Sequence, residues 1–211
     1  MKEREATVFI VDDDEAVRGS LKLLLKTLKL PAEVFASAQD FLAGFDPRRS
    51  GCLVLDIRMP GMSGLELQQE LNSRGALLPI IFITGHGDVP MAVEAMQHGA
   101  MDFLQKPFRD QDLIDRINKA LEKDRAGREL LGDRERIQAR VASLTPREQE
   151  VLALVTQGKA NKVIAADLAL SQRTVEIHRA HVMEKMGANS LAHLVRMVID
   201  AGAPPPSMPR R

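Results

Sequence analysis

With 211 residues, the chain has room for one large domain or two small ones, each burying its own core. Apolar residues make up 45% and charged residues 27%, an ordinary globular balance, and no apolar run approaches the roughly eighteen residues of a membrane span. The 29 basic and 29 acidic side chains cancel overall but not locally: residues 1–123 carry 15 against 19, residues 124–142 carry 5 against 4, and residues 143–211 carry 9 against 6. All seven phenylalanines lie between Phe9 and Phe108. Together these asymmetries favour two domains, a mildly acidic one followed by a mildly basic one. The charged N-terminus runs straight into an apolar stretch and the only cysteine, Cys52, sits in "GCLVLD", so we expect no signal peptide, a reduced core thiol and a cytoplasmic protein.

In chain order, "TVFIV" reads as a short buried strand, followed by a helix with Val17, Leu21, Leu24, Leu25 and Leu28 at three-and-four spacing. "PAEVFA" is a weaker strand and "SAQDFLAGF" a short helix with Ser37 as N-cap. "GCLVLD" is continuously apolar, as a parallel strand covered on both faces should be. After the loop "MPGMSG" come a helix over 64–73, the strand "PIIFIT", the helix "VPMAVEAMQHG" and the strand "MDFLQ". This alternation predicts βα units and a parallel sheet. From Asp110 to about 142 there is no proline, and the spacing predicts a long helix, either unbroken or interrupted near Gly127 and Gly132. "SLTPREQEVLALVTQG" then opens a set of four helices, with Thr145 as N-cap, Pro146 first and Glu148 third. The tail "PPPSMPRR" is expected to be disordered.

At the carboxyl ends of the predicted strands stand Asp12, Asp13 and Asp14, then Asp56, Thr84 and Lys106-Pro107. A parallel sheet lines those ends along one edge, where ligands bind. Clustered carboxylates suit a hard divalent cation, and a carboxylate opposite that ion and an ammonium can attack phosphorus. Asp14 and Glu15 are expected only to start a helix, where acids meet the positive end of the dipole. His86 and His98 read as loop and helix-end residues, and Phe103 as core. A haloacid-dehalogenase-type phosphatase would need Thr or Val at position 16, where Ala16 stands, and leaves Asp56 unexplained.

"VDDDEAVR", "LDIRMPGMSGLEL", "FITGHGD" and "GAMDFLQKPF" resemble the receiver domain of bacterial response regulators, over residues 5–123. The resemblance implies a five-stranded, doubly wound parallel sheet in the order 2-1-3-4-5. It implies Asp56 as phosphoacceptor and Mg²⁺ as cofactor, held by Asp13 directly, by Asp12 more through water, by Asp56 and by the backbone carbonyl of Arg58. Thr84 and Lys106 would contact the phosphoryl oxygens, Pro107 would follow a cis peptide bond, and Phe103 would be the aromatic that turns inward as Thr84 moves.

In the last third, "ANKVIAADLALSQRTVEIHRAHVMEKMG" predicts two helices joined by a turn at 168–171. At 100° per residue the second places Val175, Val182, Met183 and Met186 on one side, and Arg173, Thr174, Ile177, Ala180, His181 and Glu184 on the other. That outer face suits the major groove, and an outward Ile177 can meet a thymine methyl. A region without aromatics cannot stack single-stranded bases, which favours double-stranded DNA over RNA. Residues 140–203 look like a LuxR-type four-helix DNA-binding domain, so that the whole chain resembles the FixJ/NarL class. "TGHGDVP" and "NSLAHLVRM" lean toward the FixJ branch, which includes regulators of nitrogen fixation and styrene catabolism. By position, Asn161, Lys162, Arg173 and Thr174 would contact phosphates, while Glu176, Ile177, Ala180 and His181 would face the groove. NarL-type relatives carry lysines where this chain has Glu176 and Ala180, so their base readout does not transfer. Arg179 projects inward and is expected to pair with Glu148 or Glu150.

The organisation expected is α/β plus all-α: a receiver over 1–123, a helical linker over 124–142, a helix-turn-helix domain over 143–203 and a tail over 204–211. The function expected is a phosphorylation-activated transcription regulator, not an enzyme. Its partners would be a histidine kinase, promoter DNA, a second copy of itself and RNA polymerase, with no membrane. The competing reading is an interaction protein that binds DNA constitutively while its receiver only titrates a kinase.

Overall fold

The computed structural model describes residues 6–85 and 89–202; His86 and the expected tail lie outside them. The chain divides into two compact units, Met1–Arg128 and Glu129–Arg211.

In the first unit, β1 (Thr7–Val11), β2 (Ala32–Phe35), β3 (Gly51–Asp56), β4 (Ile80–Thr84) and β5 (Asp102–Gln105) form one sheet in the order β2-β1-β3-β4-β5. Every pairing is parallel, with Val11 beside Leu55 and Thr84 beside Gln105 in register. Successive residues of a strand face opposite sides, and both sides are covered. Val8, Ile10, Val54 and Ile83 pack with Leu21 and Leu25 of α1 (Glu15–Thr27) and with Leu113 and Ile117 of α5 (Asp110–Ala142). Phe9, Leu53, Leu55 and Phe82 pack with residues of α2 (Ala38–Gly44), α3 (Gly64–Ser73) and α4 (Val89–Gln97). Each such fully buried side chain contributes about 1.5–3 kcal/mol. The unbroken apolar runs thus become central strands, as their pattern predicts.

Helix starts follow side-chain caps. Asp14 accepts hydrogen bonds from the amides of Ala16 and Val17, Ser37 from Asp40, and Ser63 forms a reciprocal capping box with Glu66. Leu28 departs from the apolar stripe expected of α1: the helix stops at Thr27, Lys29 takes a positive φ of 57°, and Leu28 is left 42% exposed. Gly64 has no substitute, because a Cβ there would stand 2.2 Å from the Asp56 carbonyl oxygen. That close approach seats α3 directly behind the end of β3.

Helix α5 runs unbroken through Gly127 and Gly132, at a cost of about 1 kcal/mol for each glycine relative to alanine. Its buried Asp124 accepts hydrogen bonds from Ser50 Oγ (2.6 Å), Gly51 N (2.9 Å) and Arg128 Nε (2.8 Å). Arg128 also donates to the carbonyl of Arg49 at 2.5 Å.

In the second unit, α6 (Pro146–Thr156), α7 (Asn161–Asp167), α8 (Gln172–Met186) and α9 (Leu191–Asp200) enclose a core that includes Val151, Leu154, Ile164, Val175, Val182 and Leu194. Ile137 and Val141 of α5 pack against this core. Thr145 and Glu148 form the expected capping box, and Ser171 caps α8. The turn between α7 and α8 is closed by Ala169 at φ 53° and by Leu170 N donating to Ala165 O at 2.8 Å.

Candidate phosphoacceptor site and nucleic-acid interface

Because the sheet is parallel, the ends of β1, β3 and β4 and the residue after β5 share one edge. Lys106 Nζ donates to Asp12 Oδ2 at 2.8 Å and to Asp56 Oδ1 at 2.7 Å. The two carboxylates are almost fully buried, and the lysine side chain is 27% exposed. The second oxygens are also engaged: Asp12 Oδ1 accepts from Asp14 N at 2.9 Å, and Asp56 Oδ2 from Arg58 N at 2.7 Å. Asp13 is exposed beside them. Thr84 is buried at the end of β4, and the Lys106-Pro107 peptide is cis.

The electrostatics follow from this geometry. Burial, the largest influence, pushes the Asp56 carboxyl above its ordinary value, and the nearby charge of Asp12 adds to it, against the opposing pull of Lys106 and the Arg58 amide. Burial works against the Lys106 ammonium, yet its hydrogen bonds to Asp12 and Asp56 outweigh that penalty and leave its pKa raised. The lysine thus offsets two carboxylates that would otherwise repel one another.

Sequence reasoning overlooked Arg18, whose Nη1 donates to the Asp12 carbonyl at 2.7 Å and pins the end of β1. A signal was present: a side chain in the first turn of a helix leans back toward the N-terminus, here toward the strand end. Phe103 is 39% exposed, which removes the core alternative in this conformation. His98 directly follows α4, with Nδ1 2.8 Å from the Glu94 carbonyl oxygen.

On α8 the inner and outer faces fall as the wheel predicts. Val175, Val182 and Met186 are buried, while Arg173, Glu176, Ile177, Ala180 and His181 are exposed. Thr174 is half-buried, and Arg173 approaches Glu176 at 3.5 Å. On α7, Lys162 is exposed and Asn161 half-buried. The expected partner of Arg179 is corrected: its Nη1 donates to Asn161 Oδ1 at 2.6 Å, not to Glu148 or Glu150. Glu150 is held by Arg147 at 2.6 Å, and buried Glu148 by Lys185 at 2.7 and 2.9 Å. Arg179 lies nearly two turns nearer the start of α8 than Lys185, abreast of the first residue of α7. The hydrogen bonds from Lys185 and from the Thr145 backbone hold the Glu148 carboxyl down at about 2.

A parallel sheet with this acid–lysine edge, followed by a helix-turn-helix, defines a class: a receiver coupled to a DNA-binding output. Residues 8–118 match the response regulator receiver domain family, and residues 142–198 match the luxR family of bacterial regulatory proteins. The chain belongs to the response regulators, in the branch that includes FixJ. It is 50% identical over 199 residues to the transcriptional regulatory protein FixJ of Rhizobium meliloti, covering 94% of this chain and 98% of that one. With nodulation protein W of Bradyrhizobium diazoefficiens it shares 49% identity over 193 residues, covering 92% and 85%. Among solved structures, the response regulator StyR superposes with a TM-score of 0.85 at 45% identity, covering 93% of this chain and 99% of that one. Full-length FixJ from B. japonicum gives 0.57 at 44% identity, covering 93% and 97%. The protein is therefore a DNA-binding transcription regulator of a two-component system, and not an enzyme. Among the described residues no helix is long and apolar enough to cross a membrane.

Proposed function

We propose that Asp56 accepts a phosphoryl group from the phosphohistidine of a partner kinase and that this switches on promoter binding. The observation that carries the reading is the meeting of Asp12 and Asp56 on the single ammonium of Lys106, at the carboxyl edge of the sheet. An ionised Asp56 carboxylate held against the Lys106 ammonium can act as the nucleophile toward phosphorus. Its oxygen forms the new P–O bond as the donor P–N bond breaks, and Lys106 and Thr84 would meet the incoming oxygens.

The donor set fits Mg²⁺. Among the described residues no three His, Cys, Asp or Glu side chains could enclose a metal by themselves, but Mg²⁺ takes only one or two carboxylates and completes its shell with water and phosphate. Asp13 and Asp56, with the Arg58 carbonyl and with Asp12 through water, would hold it, and it would neutralise charge on the transferring oxygens. Phe103 and Pro107 flank Lys106 and form the switch surface.

On the output side, Asn161, Lys162, Arg173 and Thr174 contact phosphates, and Glu176, Ile177, Ala180 and His181 face the major groove. A surplus of three positive charges over 143–211 is small for a DNA binder, which favours a phosphorylation-induced homodimer on two half-sites. That dimer would act in the cytoplasm and recruit RNA polymerase. The working division is a receiver over 1–123, a linker over 124–142, an output domain over 143–203 and a tail beyond it.

The test compares wild type and Asp56→Asn by intact mass and promoter binding, with and without acetyl phosphate and Mg²⁺. Wild type should gain one phosphoryl group and bind more tightly; Asp56→Asn should do neither. Equal DNA binding by both proteins, treated or untreated, would replace the switch with a constitutive DNA binder.

A further inference from the structure

Within the second unit, the last turns of α5 do more than precede α6. Ile137 and Val141 pack against its core, Arg134 Nε and Gln138 Nε2 donate to the Ala201 carbonyl at 2.8 and 3.1 Å, and Arg140 Nη1 donates to the Met186 carbonyl at 2.7 Å. Met186 is the final residue of α8, the helix that carries the groove-facing side chains, and Gly187 follows it in the left-handed region at φ 66°. The carbonyls at a helix C-terminus lack intrahelical partners and carry the negative end of the dipole, so a half-buried guanidinium is well matched there. The fit is close: a Cβ on Gly187 would stand 3.0 Å from Arg140 Nη1. At the same end of α8, Lys185 is tied to Glu148.

We propose that the stretch of α5 from Arg134 to Ala142 is an integral part of the DNA-binding unit and that Arg140 is a positioning residue for DNA binding, fixing the carboxyl end of α8 through the Met186 carbonyl. It acts through the recognition helix and does not touch DNA. This deepens the promoter-binding reading and rests on it.

The test uses the full-length chain, with and without acetyl phosphate and Mg²⁺, and a duplex enriched from a random-sequence pool by wild type. Arg140→Met removes the cation and keeps the stem; Arg140→Lys restores a cation. We expect Arg140→Met to bind about tenfold more weakly, the loss of one charge-assisted hydrogen bond, and Arg140→Lys to recover most of that loss. The slope of log affinity against log salt should equal that of wild type, because no phosphate contact is lost. Melting temperature, read in parallel, separates weak binding from unfolding. Unchanged affinity in folded Arg140→Met would overturn the proposal, and so would a slope smaller by about one phosphate contact, which would place Arg140 on the DNA itself. Where Arg140→Met does not fold, Arg140→Gln takes its place with the same readings. If wild type enriches no duplex in either state, the promoter-binding reading fails and the proposal with it; a variant-specific result leaves that reading intact.

Discussion

At the receiver edge, Asp12 just past β1 and Asp56 at the end of β3 reach one ammonium, with side chains only 1% and 9% exposed. On α8, Arg173, Glu176, Ile177 and His181 stand in solvent on a single helix. The first arrangement is costly, since buried carboxylates need a counter-charge, and whatever replaces or supplements that lysine changes the energy of the whole edge. The second is nearly free, and its outer face depends on how firmly the helix beneath it is held. One region therefore suits sensing and the other suits reading. Each holds a basic residue in a different place: Lys106 is itself part of the receiver edge and joins its two carboxylates, whereas Arg140 lies away from the outer face of α8 and donates to its last carbonyl.

The strongest way to break this contrast is Lys106→Met. With its shared cation gone, the acid pair should destabilise the receiver by about 2–3 kcal/mol, a reduced figure for a pair that is not sealed from water. Added Mg²⁺ should then raise the melting temperature of the variant more than that of wild type. An equal Mg²⁺ response in both would mean that the carboxylates do not form one electrostatic unit.

Glu148→Gln tests the buried acid of the other unit, and should cost about 1–2 kcal/mol near neutral pH. The folded-state pKa of Glu148, about 2, lies below its ordinary value. Its contribution is therefore present above the unfolded-state pKa and lost as pH falls through the folded one. Acid unfolding followed by circular dichroism should show wild type converging on Glu148→Gln as pH drops toward 2; a constant gap between them would refute the assignment.

A smaller effect sharpens the corrected contact of Arg179. A double-mutant cycle on Arg179→Ala and Asn161→Ala should give a coupling of roughly 0.5–1 kcal/mol in stability, whereas Arg179→Ala with Glu150→Ala should be additive. Smallest of all, Ala169→Gly should stabilise the helix-turn-helix by about 0.5 kcal/mol, since glycine relieves the positive φ at some cost in chain entropy. A loss of stability there would show that the methyl group is packed.

The parts of the fold legible in the sequence were those set by local chemistry. Continuous apolar runs marked β1, β3 and β4, and Asp14, Ser37, Thr145 and Ser171 announced their helices by capping them. The residues that converge at the receiver edge were legible too, because strands running parallel bring their carboxyl ends to one edge. Partner choice was not. A helical wheel gives the inward direction of Arg179 but not the neighbour it meets, which is Asn161 and neither Glu148 nor Glu150. The burial of Asp124 was a readable signal passed over: it continues the stripe of Leu113, Ile117 and Ala120, so its carboxylate had to find donors inside, which Ser50, Gly51 and Arg128 supply. The continuity of α5 could not be read, since two glycines weaken a helix locally while the contacts that hold it come from distant segments.

Phe103 stands 39% exposed on β5, in a chain that contains neither tryptophan nor tyrosine. The protein is thus almost dark in the near ultraviolet, and nothing in it would compete with a single indole placed at position 103. Such a lone fluorophore would report the polarity around β5 as a colour, moving toward the blue when the ring leaves water. The missing aromatics make the molecule a clean background on which its own switching can be watched.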